Sequence, residues 1–287
     1  MIDPTKNQCR ELRNHFSFSN LPFSKGMVAS LMFDSNSQTE MLRGLRMWTE
    51  VRGMSLVTGP TGVGKSITIR RFVQELDTAR FLIVEFSYLP STVNGFLRCL
   101  SRSLGLPMHS CASDQFDTAQ RHLASHETDH GAHPILLIDD AEGLRPEVLD
   151  AIRRLTTYNM DSNDHFSVLL SGTDALIPLL GHSCLASMRS RFLFTSTLRP
   201  FGFEDTLKYL RFHLNRSNLN PDLFSDSAAK RLFQASQGRP RNINQLAVQA
   251  LIQAAVQGLL TIEGDFMANL IASHPLYNNQ GNQGTDR

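Results

Sequence analysis

Short, almost wholly apolar runs alternate along this chain with longer stretches in which apolar residues return every three or four positions. Met54–Thr58, Arg80–Phe86, Ile135–Ile138 and Phe166–Leu170 are of the first kind, with Phe192–Phe194 as a further candidate. Runs this short and this apolar predict strands buried on both faces, as in a parallel sheet. Helical spacing marks Gln38–Val51, with Met41, Leu42, Leu45 and Trp48 on one side. It returns in Ile67–Leu76, in Ser91–Leu104 ahead of Gly105 and Pro107, in Phe116–His126 and in Pro146–Tyr158, where the proline suits a first helical turn. Strands alternating with helices predict an α/β fold with a helix-covered parallel sheet. After about Pro200 the strand rhythm stops. Asp205–Asn215, Asp226–Ser236 and Pro240–Gln257 predict a small helical domain, with Gly238 and Gly258 where C-terminal caps belong.

One segment between a predicted strand and a predicted helix carries chemistry. Gly59-Pro60-Thr61-Gly62-Val63-Gly64-Lys65-Ser66 reads G-x-x-x-x-G-K-S, a complete phosphate-binding loop in the context it requires. The glycines let backbone N–H groups turn toward an anion. Lys65 supplies a point charge for the β and γ phosphates, and the Ser66 hydroxyl can coordinate Mg²⁺. ATP and Mg²⁺ are therefore the expected cofactors. Asp139 and Asp140 follow the apolar strand Ile135–Ile138 directly. At the carboxyl end of a buried strand, Asp139 is placed to hold the Mg²⁺ shell and Asp140 to orient a water on the γ phosphate.

The stretch Ile138–Glu147, I-D-D-A-E-G-L-R-P-E, resembles the I-D-E-A-x-x-L-x-P-E segment of ExeA-like and TnsC/TniB-like AAA+ ATPases. So do His15-Phe16, Pro22-Phe23, Leu104-Gly105-Leu106-Pro107, Gly172-Thr173-Asp174 and Gly238-Arg239-Pro240-Arg241. The resemblance runs from about residue 15 to 272 and implies an AAA+ P-loop NTPase core with an α-helical lid. It divides the chain into an N-terminal arm and pocket entry (1–36), the core (37–199), the lid (200–273) and a polar, disordered tail (274–287). It also implies roles by position. Thr173 matches the polar sensor after the fourth core strand, and Arg241 the lid arginine that reaches the γ phosphate. Arg189 and Arg191 both match the region of an arginine finger acting on a neighbouring subunit's nucleotide. Where the family usually has Glu, this chain has Asp140, one methylene shorter, with Glu142 two residues on. Slow hydrolysis is expected, since small misplacement of a reacting water costs on the order of 100-fold.

The resemblance implies two functions, with an origin-recognition-type loader as a third, less favoured reading because no winged-helix domain is seen after the lid. The first is a transposon-encoded regulator of the TnsC, TniB, MuB and IstB kind, an ATP-dependent homo-oligomer, ring or filament, that binds double-stranded DNA and recruits or activates a transposase, with a targeting protein as a further partner. The alternative is an ExeA-like ATPase in secretion-machinery assembly. Such proteins usually carry a transmembrane helix and a cell-wall-binding domain after the ATPase module; neither is seen up to residue 287, which places the transposition reading first.

Bulk properties narrow this little. At net charge +1, any DNA-binding surface must be a local patch. Arg70, Arg71, Arg153 and Arg154 are the first candidates, with Arg98, Arg102 and Arg121 as further basic positions, and none resembles a base-reading motif. Cys9, Cys99, Cys111 and Cys184 lack C-x-x-C spacing and read as reduced thiols of a cytoplasmic protein. No apolar run reaches the roughly 18 residues of a membrane span. His122, His126, His130 and His133 recur at metal-like spacing, but Gly131 and Pro134 interrupt the helix, so the segment reads as a solvated connector.

Overall fold

The computed structural model describes residues 15–18, 20–23, 33–86, 88–158 and 164–277. Cys9 and residues 278–287 lie outside them, whereas residues 274–277, expected to belong to a disordered tail, are ordered: Tyr277 packs in the helical core and its hydroxyl donates to Gln245 Oε1 at 3.1 Å. Contacts divide the chain into two units: Asn36–Thr61 with Lys65–Arg199, and the described residues of Met1–Ser35 with Gly62–Gly64 and Pro200–Arg287.

In the first unit the elements run α1 (Asn36–Val51), β1 (Met54–Thr58), α2 (Lys65–Glu75), β2 (Phe81–Glu85), α3 (Val93–Ser103), α4 (Ala112–His130), β3 (His133–Ile138), α5 (Pro146–Thr156), β4 (Ser167–Ser171), α6 (Leu176–Leu180), α7 (Ala186–Arg189) and β5 (Phe192–Thr197). The five strands form one sheet in the order β2-β3-β4-β1-β5, and each pairing is parallel. Helices cover both faces, which is why every residue of β3 and β4 is buried. Met54, Leu136, Ile138, Val168 and Leu170 share one face and pack with Phe96, Leu100, Leu123, Val148, Ile152 and Leu176 from the helices between α3 and α6. The other face carries α1 and α2, where the Trp48 and Phe72 rings stand 6.4 Å apart. Gly44 lets α1 close on the sheet, because a Cβ there would meet the Phe194 ring. Thr92 caps α3 by accepting from the Gly95 N–H at 3.2 Å, and Pro146 opens α5.

The helical unit contains α8 (Phe203–Arg216), α9 (Asp226–Ser236), α10 (Pro240–Val256) and α11 (Gly264–Ser273). Its core holds Leu210, Leu214, Leu232, Ile243, Leu246, Leu251 and Met267. Phe18 and Phe23 are buried in the same core, and His15 Nε2 lies 2.8 Å from the Leu259 carbonyl oxygen. The described part of the arm is thus packed, because spaced aromatics between polar residues supply enough apolar area to hold it.

The histidine segment departs from the connector reading. The helix α4 continues to His130 and stops at Gly131, whose φ is +77°. His122, His126 and His130 therefore share a helix row, with ring centroids 5.5 and 4.7 Å apart. His133 is a buried β3 residue, with Nδ1 3.2 Å from Glu127 Oε2 and Nε2 2.9 Å from Ser167 Oγ. Glu127 in turn accepts two bonds from Arg52, at 2.8 and 2.6 Å. Among the described residues no group of three or more histidine, cysteine, aspartate and glutamate side chains could hold a metal, and no helix is long and apolar enough to cross a membrane. Cys99, Cys111 and Cys184 are free.

Acid should weaken the helical unit. His213 lies against Phe23 at 4.8 Å and edge-on to Tyr209 at 4.4 Å. Burial, reinforced by the nearby Arg216 charge, pushes its pKa down to about 4. A histidine with a depressed folded pKa adds stability above its unfolded value of about 6.5 and loses it as pH falls toward the folded value. Burial shifts His133 in the same direction. Urea unfolding should show lower stability at about pH 5 than at about pH 7.5, with a smaller gap in His213→Phe. An unchanged gap in that variant would assign the acid sensitivity elsewhere.

Candidate nucleotide-binding site

The strand β1 ends at Thr58, whose hydroxyl lies 3.0 Å from that of Thr197 on the edge strand. The chain then turns through the loop before α2 starts at Lys65. Gly59, Gly62 and Gly64 take φ of +146°, +83° and +108°, a range that side chains rarely tolerate. A Cβ at Gly59 would lie 2.3 Å from the Leu198 carbonyl oxygen. Positive φ at these glycines suits a backbone that wraps an anion with its N–H groups. Lys65 is 7% exposed, and its Nζ donates to the carbonyls of Gly59 at 2.7 Å and Pro60 at 3.2 Å. Ammonium, glycine backbone and helix start thus converge as a triphosphate would require.

Ser66, in the first turn of α2, lines a cleft of about 370 Å³ together with Asp139, Asp140, Glu85 and Ser171. Asp139 is the first residue past β3, and its Oδ1 accepts the Asp140 N–H at 3.0 Å. Asp140 takes a left-handed φ of +51° and opens a tight helical turn at Ala141–Gly143. Parallel pairing sets Ser66, Asp139 and Asp140 at the carboxyl edge of the sheet, a hydroxyl and two carboxylates suited to a hydrated Mg²⁺. Glu142 does not line this cleft. Its Oε2 is buried without a hydrogen-bond partner among the described residues and occupies the space that a Cβ at Gly172 would need. Thr173 stands in the turn after β4, where its carbonyl accepts from Leu176 N–H at 3.0 Å, and it too is outside the cleft lining.

Arg189 and Arg191 sit at the opposite edge, just before β5 begins. Arg189 Nη1 donates to the carbonyls of Leu180 at 2.6 Å and His182 at 3.0 Å. Arg191 donates to the hydroxyls of Thr156 and Thr157, each at 3.2 Å. Strand β1 separates these arginines from the loop of the same chain by about 16 Å. Neither can serve its own loop.

In the helical unit, the Arg241 N–H donates to the Gly62 carbonyl at 3.1 Å. Arg239, the residue before α10, has a buried Nε without a partner among the described residues.

The basic candidates separate. Arg70 faces the cleft. Arg71 pairs with Glu75 at 3.3 Å. Arg153 and Arg154 both pair with Asp150, each at 2.8 Å. Burial opposes ionisation of Asp150, but the two guanidinium bonds outweigh it and hold its carboxyl below the usual range. Because α2 and α5 cover opposite faces of the sheet, the two arginine pairs form no single patch.

The family described as "AAA domain" matches residues 49–180. The chain is 29% identical over 249 residues to general secretion pathway protein A of Aeromonas hydrophila, covering 85% of this chain and 45% of that protein. It thus spans less than half the length of that relative. Among solved structures it resembles Cdc6p from Pyrobaculum aerophilum, with a TM-score of 0.63 and 18% identity over 84% of this chain and 67% of that one. It also resembles the Aeropyrum pernix ORC2 protein in its ADPNP–ADP complexes, with a TM-score of 0.67 and 12% identity over 89% of this chain and 72% of that one. Drosophila ORC bound to DNA gives a TM-score of 0.61 and 13% identity over 95% of this chain and 67% of that one. Such identities speak for fold alone. With the five-stranded parallel sheet, the phosphate loop and the helical C-terminal region, they establish that this chain has the AAA+ P-loop NTPase fold.

Proposed function

We propose that this chain is an ATP-binding switch that hydrolyses ATP slowly. The observation that carries the reading is the loop Gly59–Ser66, with three left-handed glycines and a buried Lys65 ammonium directed back at the loop. In this reading the loop N–H groups and Lys65 bind the phosphates, while Ser66 and Asp139 hold Mg²⁺. Mg²⁺ held there would supply positive charge to offset that of the phosphates. Asp140 orients the attacking water, and its short, left-handed perch keeps turnover slow. Arg241 contributes charge from the helical unit. Arg189 or Arg191 acts on a neighbour's nucleotide, which couples ATP to self-association. Light scattering should rise with a slowly hydrolysed ATP analogue and fall back in Arg189→Ala or Arg191→Ala. A protein that stays monomeric with analogue bound would remove the finger assignment.

For the cellular role, the likeness to the Aeromonas protein supports a task in the general secretion pathway ahead of transposition. That no membrane span is seen up to residue 287 carries no weight in this choice. The second reading, sequence-tolerant binding of duplex DNA in support of a transposase, draws on the fold likeness to ORC bound to DNA. The scattered, partly paired arginines make it depend on assembly, where stacked subunits would repeat Arg70, Arg71, Arg153 and Arg154 along a strand. Electrophoretic mobility of duplex DNA with ATP analogue, at two salt concentrations, separates the two. Cooperative, salt-sensitive shifts favour transposition, and no shift under any nucleotide leaves the secretion reading alone.

A further inference from the structure

Helix α4 carries His122, His126 and His130 one turn apart on one face, the last of them at its C-terminus. The His126 and His130 ring centroids are 4.7 Å apart, and those of His122 and His126 5.5 Å. His126 is half-buried and His130 exposed, so a solute can reach both rings. Gly131 stops the helix with a φ of +77°, and the Ala132 carbonyl oxygen beyond it lies 2.9 Å from His126 Nδ1. A carbonyl can only accept, so Nδ1 carries the proton and Nε2 keeps its lone pair.

Metal-binding imidazoles are held in this way, with one ring N–H fixed on a carbonyl and the other nitrogen bare. A basic side chain at a helix C-terminus also offsets the helix dipole, which accounts for His130. That effect fades within the last turn and does not account for the histidines further in. We propose that His126 and His130 bind one divalent cation of the Ni²⁺, Cu²⁺ and Zn²⁺ class through their imidazole nitrogens. Imidazole suits these cations, whereas Mg²⁺ and Ca²⁺ take oxygen ligands. The pair supplies two ligands and water the others, an open site in place of a closed set of protein ligands. The closer rings favour this pair over His122 with His126. His133 opens β3 and Asp139 follows its end, so a strand of about 20 Å separates the row from the acids of the nucleotide cleft. The cation site thus stands apart from the Mg²⁺ of the nucleotide reading and does not depend on it. A cation held by both rings ties the last turn of α4 and stabilises the folded chain.

The test is calorimetric titration of full-length, nucleotide-free protein without an affinity tag, using Ni²⁺ alone and Mg²⁺ alone. Wild type should bind Ni²⁺ in preference to Mg²⁺ and should melt at a higher temperature with Ni²⁺. His126→Gln and His130→Gln should each weaken Ni²⁺ binding at least about 10-fold, since loss of a mere supporting hydrogen bond at a metal site costs that much. His122→Gln and the exposed His182→Gln leave the pair intact and should bind as wild type does. His130→Gln removes an exposed ring, so its metal-free melting temperature should match wild type and separate lost binding from lost folding. Wild-type Ni²⁺ affinity in His126→Gln or His130→Gln would overturn the site. A loss in His122→Gln as large as that in His130→Gln, or Mg²⁺ binding as tight as Ni²⁺ binding, would overturn it too.

Discussion

Lys65→Ala should lose ATP binding while keeping its fold. The ammonium is nearly buried, held by the Gly59 and Pro60 carbonyls, and positioned for the triphosphate. Removing one partner from a desolvated charge pair costs about 2–5 kcal/mol, a loss of roughly 30-fold or more in affinity. Two hydrogen bonds, to the Gly59 and Pro60 carbonyls, also go. Fluorescent ATP titration reads the loss and circular dichroism the fold. Ser66→Ala should differ in kind, weakening binding chiefly where Mg²⁺ is present. Wild-type affinity in Lys65→Ala would remove the loop from the site.

Gly59→Ala should damage both fold and site. With φ at +146°, an alanine there is strained before any contact is considered. Its Cβ would also lie 2.3 Å from the Leu198 carbonyl oxygen, which is backbone and cannot swing away. Leu198 is tied by its N–H to the Thr58 carbonyl at 2.8 Å, so relief requires the end of β5 to part from β1. The combined cost is about 2–4 kcal/mol, a fall of roughly 5–15 °C in melting temperature. Gly143→Ala is the control, because a Cβ there meets nothing within 4 Å. A melting temperature for Gly59→Ala equal to that of the control would contradict the strain.

The middle of the sheet was legible because β3 and β4 are buried on both faces and read as short apolar runs. Met54–Thr58 is β1 to the residue. The phosphate loop was legible because its chemistry demands particular residues at fixed spacing. Helix α11 was missed: Gly264 opens it beneath the Ser227 hydroxyl, and no propensity marks that start. The ends of α4 were missed because its exposed turns carry no apolar period, and only the φ of Gly131 sets the stop. Side-chain direction was beyond the sequence altogether. Spacing makes Glu142 a neighbour of Asp140, yet the tight turn at Ala141–Gly143 sends it toward Gly172 and away from the cleft. Ser171 reads as one more residue of a buried strand; only strand register brings it to the acids. The arginine pairs looked like free charge until Glu75 and Asp150 were found against them.

The most direct measurement is equilibrium titration of the wild-type protein with fluorescent ATP, run with Mg²⁺ and again with chelator, and chased with unlabelled ATP. Saturable binding that unlabelled ATP displaces, and that weakens without Mg²⁺, is expected from the placement of Lys65, Ser66 and Asp139. No saturable binding in either condition, from protein that is folded by circular dichroism, would contradict a nucleotide switch.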